Sequence, residues 1–147
     1  MLAELMEVTA ALTCTLFAGA AVYINLVEHP ARLSCGTEIA AAQFAPSYKR
    51  ATVMQVSLAI IATVAGVGRG LQGAGAVWFW AAALIFAVIP FTIVVILPTN
   101  NQLLDPARDR RSPETRRLLE SWGRLHAVRS MLSLVASILF IWAASRS

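Results

Sequence analysis

The chain has 147 residues, 58% of them hydrophobic and 14% charged, with a formal net charge of +4. Soluble domains are nearer roughly 45–50% apolar and about 25% charged, so the composition excludes an ordinary water-soluble globule and indicates one membrane domain, 1–147. The positive charge does not indicate a nucleic-acid binder, because Lys and Arg flank the apolar runs and no groove-reading module occurs.

Helix one is expected over about 5–28, around the charge-free run from Val8 to Val27. Glu4 and Glu7 precede it without any Lys or Arg, which disfavours a cleaved signal peptide and makes this a retained span. Pro30 is expected to end it, leaving His29 placed by a turn. Helix two is expected over about 51–69. The connection that follows, "GVGRGLQGAGA", reads as a flexible loop rather than a helix-contact motif, and it lacks the Lys-Ser/Thr ending of a phosphate loop. Helix three is expected over about 75–98, kinked at Pro90 and broken at Pro98, with Thr92 and Thr99 able to satisfy freed carbonyls. Trp78 and Trp80 read as interfacial belt residues. Helix four is expected over about 113–145. "SPET" starts it, with Ser112 as cap, Pro113 in the first turn and Glu114 at the positive end of the dipole.

These elements define an all-α integral membrane protein, a four-helix up-down-up-down bundle in a lipid bilayer. Ten of the twelve Lys and Arg residues fall in or beside loops one and three. The positive-inside rule then makes those loops cytoplasmic and puts both termini outside the cell membrane. Cys14 lies mid-span and Cys35 beyond it, about 20–30 Å apart along a helix, too far for a disulfide.

The polar residues gather at one face of that bundle. Asn25, Glu28, His29 and Arg32 end helix one, Tyr48 precedes helix two, and Thr99, Asn100 and Asn101 end helix three. Trp122, His126 and Arg129 form one stripe at the start of helix four. Both histidines of the chain belong to this set. Arg129 lies about a turn inside the apolar run, where a charge costs about 2.5–3.5 kcal/mol. It either snorkels to the surface or serves the bundle interior. Arg32, Lys49, Arg50 and the third-loop arginines read as topology and headgroup charges.

Two chemistries suit the cluster. His29, His126 and Glu28 are a ligand set for a single metal ion of the two-His, one-carboxylate kind, although no E-x-x-H or H-E-x-x-H fixes two ligands on one turn. Alternatively His126 or His29 is a general base, with Arg129 and the Asn amides holding an enolate or phenolate oxygen and no cofactor required. A non-enzymatic bundle binding a partner membrane protein, a lipid or a quinone-like pigment is the alternative, and a transporter would need to form a homo-oligomer.

The pattern "N…EHP", "PFTIVVILPTNNQLLD" and "W…LHAVRS" resembles a small membrane family that includes the anthrone oxygenases. The resemblance spans nearly the whole chain and implies four membrane helices. For the family's named members it implies oxidation of a polycyclic anthrone to an anthraquinone with O₂. It carries over to Asn25, His29, Pro30, Pro98, Asn100, Trp122, His126 and Arg129. The expected substrate is then an apolar aromatic phenol or quinone-type molecule. His126, His29, Arg129 and Asn100 would be catalytic, and Asn25, Glu28, Trp122, Tyr48 and Thr99 would bind substrate.

Overall fold

The computed structural model describes residues 1–146. It consists of four long helices, α1 (Leu2–Ser34), α2 (Thr37–Ala74), α3 (Ala76–Leu104) and α4 (Pro113–Ala144), each long and apolar enough to cross a membrane. No strand occurs among the described residues. Each helix packs on its chain neighbours, and α1 closes the ring against α4. The protein is thus a multi-pass membrane bundle, and its outward faces carry the large apolar side chains, such as Leu12, Val64, Val94 and Met131.

Small residues let the helices approach closely. Ala10, Ala21, Ala59, Ala62, Ala81, Ala82 and Ala136 are buried in one core, around Phe17, Trp78, Ile85 and Phe140. The α1–α4 seam adds a hydroxyl contact, Thr15 to Ser137 at 2.8 Å. Trp78, expected at the interface, is 1% exposed and packs against Phe140 with ring centres 5.7 Å apart. Its companion Trp80 does face outward, 68% exposed.

The expected plain loop after helix two is also corrected. α2 continues through Gly66 and Gly70, and a β-carbon at either would lie within 3 Å of an aromatic ring, Phe140 or Phe79 respectively. These glycines admit rings, as a contact motif would. The turn itself falls at Gly73 and Gly75, whose φ values of +84° and +102° suit glycine alone. Beside it, Arg69 pairs with Glu7 at 2.6 Å and ties α2 to α1.

The helices outrun their expected ends at the opposite mouth. α1 passes through Pro30 to Ser34, and α3 passes through Pro98 to Leu104. The reason is a wider turn just ahead of each proline. His29 N–H donates to Ile24 O and Leu97 N–H to Thr92 O, each five residues back. The extra residue makes room for the ring that would otherwise meet the preceding turn. Thr92 also donates its hydroxyl to Val88 O at 2.7 Å, a carbonyl that its own backbone N–H already reaches rather than one freed by Pro90. α2 begins at Thr37 rather than near 51, because Gly36 (φ +96°) reverses the chain at once and Ala40, Ala41 and Phe44 join a second core. The α4 cap is as expected, with Thr115 N–H donating to the Ser112 hydroxyl at 3.2 Å. Cys14 and Cys35 are both free.

Candidate functional site

The second core holds Ile24, Phe44, Ile96, Leu103, Leu119 and Trp122, and the buried polar groups cluster around it. Asn25 organises one of them. Its amide nitrogen donates to Gly123 O at 2.9 Å, so its oxygen faces the other way. That oxygen accepts from the Ser130 hydroxyl at 2.6 Å and from His126 Nδ1 at 2.7 Å. An amide oxygen can only accept, so Nδ1 carries the proton and a neutral His126 presents a bare Nε2. His126 is 1% exposed, and its ring lies against Trp122 with centres 4.7 Å apart.

His29 is held differently. Its Nε2 donates to Leu119 O at 3.0 Å, and its ring also packs against Trp122, with centres 5.1 Å apart. Gly123 makes this crossing possible, since a β-carbon there would lie 2.7 Å from the His29 ring. Trp122 therefore contacts both histidines. Glu28 turns away from both, onto Arg32 and the Ser47 hydroxyl. The three residues considered as metal ligands thus go to three different partners. Among the described residues no three His, Cys, Asp or Glu side chains converge as a metal group. Arg32, expected to be a headgroup charge, is instead 5% exposed.

Arg129 does not snorkel. It is 9% exposed, donates to Gln55 Oε1 at 2.7 Å and lies over the Phe17 ring at 5.6 Å. Among the described residues no carboxylate pairs with it. A buried cation in this state is costly unless an anion joins it.

Two spaces border Arg129. The inner one is about 20 Å³, room for about one water, and is lined by His126, Trp122, Arg32, Tyr48, Gln55 and Arg129, among others. The outer one is a groove of about 240 Å³ between α2 and α3, walled by apolar residues such as Val56, Ile89, Ile93 and Leu97. Tyr48, Thr52, Gln55 and Arg129 border both. Tyr48 stacks on Phe44, 5.7 Å between centres.

The structure thus brings together Asn25, His126, Trp122, Arg129 and Tyr48. Asn100 and Thr99 do not line these spaces. Asn100 is fully buried, with both amide atoms unpartnered among the described residues, on the α3 face that carries Ile96 and Leu103. Gln55, Ser130 and Gly123 went unread in the sequence. The signal for Gln55 was a lone amide within an otherwise apolar run, and for Gly123 a glycine inside a helix beside "W" and "LH".

A membrane bundle with a buried imidazole, a buried guanidinium and an apolar groove has the make-up of a small-molecule site. The family model described as anthrone oxygenase matches residues 44–139. The anthrone oxygenase tpcL of Aspergillus fumigatus is 32% identical over 144 residues, covering 90% of this chain and 89% of that protein. No solved structure matches the chain. The chain belongs to the anthrone oxygenase family, and that membership indicates an oxygenase-type function on a small molecule.

Proposed function

We propose that the protein oxidises a flat polycyclic phenolic or anthrone-type substrate with O₂, in a pocket between the groove and His126. The observation that carries this reading is Arg129, a buried cation without a carboxylate, beside an imidazole whose tautomer Asn25 fixes. A planar apolar ligand enters the α2–α3 groove from the lipid. Its oxygen meets Arg129, and its acidic ring CH₂ faces His126.

His126 Nε2 removes one proton from that carbon, and the charge passes to the oxygen held by Arg129. Such an anion is electron-rich enough to reduce O₂ and then bond to it, and the resulting peroxide takes back the proton held by His126, giving a hydroperoxide at the same carbon. Loss of the second C–H proton with cleavage of the O–O bond leaves a carbonyl and releases water. One CH₂ and one O₂ thus become one C=O and one H₂O. This scheme requires no bound cofactor. The apolar walls and Trp122 exclude bulk water around the charge, which strengthens the Arg129 interaction.

The same reading places the site on the cytoplasmic side of the cell membrane, by the excess of Lys and Arg in loops one and three. The test is oxygen uptake by detergent-purified protein with anthrone, wild type against His126→Ala. Uptake that needs His126 supports the proposal. Uptake equal in both proteins removes His126 from the chemistry and the proposal with it.

A further inference from the structure

Gln55 sits midway along α2 and is 2% exposed. Its Oε1 accepts from Arg129. Arginine only donates, so this contact fixes which end of the amide faces the guanidinium. The Nε2 end then projects two hydrogens elsewhere, and it is buried with no partner among the described residues. Gln55 borders both the inner cavity and the groove. Holding Arg129 in place uses only Oε1 and gives no reason for an unpaired amide N–H at this depth, where such groups are normally satisfied.

We infer that Gln55 Nε2 is a second hydrogen-bond donor to the substrate's anionic oxygen, beside Arg129. The inference rests on the proposed function and names its ligand selectivity. Arg129 supplies charge and Gln55 supplies a directed neutral donor, fixed from behind by the guanidinium. Together they favour flat ligands with an ionisable oxygen, phenols and enolisable ketones, over hydrocarbons of the same outline. Such a site rejects the analogue that lacks the oxygen because its own donors are then left unpaired.

The experiment uses the full chain in detergent, with 2-hydroxyanthraquinone as a phenol that absorbs at longer wavelength once ionised, and anthracene as the oxygen-free comparison. Wild type should bind the phenolate and shift the ligand's ionisation to lower pH. Gln55→Leu should weaken phenolate binding roughly tenfold or more, the usual effect of losing a hydrogen bond to a charged group, and leave anthracene binding unchanged. Gln55→Glu guards against misfolding: it keeps an acceptor for Arg129 but has no donor when ionised. It should abolish phenolate binding while the thermal unfolding temperature holds or rises. Phenolate binding that is lost in Arg129→Met but unaltered in both Gln55 variants overturns the inference and leaves the proposed function standing. A wild type that binds the phenolate no better than anthracene overturns both.

Discussion

The two ends of this bundle are built on opposite principles. At the Glu7–Arg69 end, alanine and glycine bring helices into contact, rings fill the gaps, and the one buried-side ion pair is closed. At the other end, among the described residues, seven buried side-chain nitrogen and oxygen atoms lack partners, on His29, Arg32, Gln55, Asn100, Trp122 and Arg129, and none of these lies at the Glu7–Arg69 end. Unmade hydrogen bonds at depth each cost about 1–3 kcal/mol. The dense half therefore supplies rigidity that the polar half does not, and the polar half retains unmet donors and acceptors that a ligand can meet.

That contrast can be attacked from either side. The largest expected loss is for His126→Ala, a fall of about 10²–10⁴-fold in kcat, the usual contribution of a positioned base, read as O₂ uptake with anthrone. Arg129→Met should follow, with about 10²–10³-fold lost in kcat, as when an oxyanion donor is removed. Its unfolding temperature should hold or rise, because an uncompensated buried charge has gone. If stability fell steeply with activity, Arg129 would belong to the architecture and the contrast would fail.

Asn25→Leu should cost about 10–100-fold in activity, the scale seen when a partner that orients a histidine is lost. A variant that also lost only the hydroxyl at Ser130 separates the two contacts on Asn25 Oδ1, and Ser130→Ala should be milder. Gly123→Ala, which drives a methyl into the His29 ring, should lower stability by about 1–3 kcal/mol and slow turnover less than Asn25→Leu. Gly66→Ala in the dense half should lower stability by a similar amount, about 1–3 kcal/mol, with kcat unchanged. A changed kcat there would mean the two halves are not separable.

Much of this was legible in the sequence. Four apolar runs, the "SPET" start and the Trp122–His126–Arg129 stripe follow from hydropathy and helical spacing, and the structure builds all of them. The helix ends at Pro30 and Pro98 were misjudged because the rule that proline stops a helix assumes a regular turn before it. A wider turn removes the premise. Trp78 was placed at the surface because aromatic residues near a span end usually are, and only the packing partner Phe140 reveals otherwise. Glu28 and Arg32 pair within one turn of α1, a contact their i, i+4 spacing permitted but did not require. Asn100 and Gln55 show the limit most clearly. Gln55 is one amide in a greasy run and Asn100 one of three successive amides at a span end, and nothing in the chain says which of them would reach Arg129.

The wide turn at Ile24–Glu28 has an evolutionary consequence. It stores one surplus residue, and removing a single residue there would restore ordinary helical winding. Residues past that point, His29 included, would then keep nearly their present facing, as Cys14, Phe17 and Ala21 would, and the change would fall on Pro30, whose ring would meet a regular turn. A one-codon deletion there would thus strain the turn before the proline without rotating the polar end away from α4. Homologues that differ in length by one residue at this turn, or at Thr92–Ile96 ahead of Pro98, should accordingly keep the same residues facing the site.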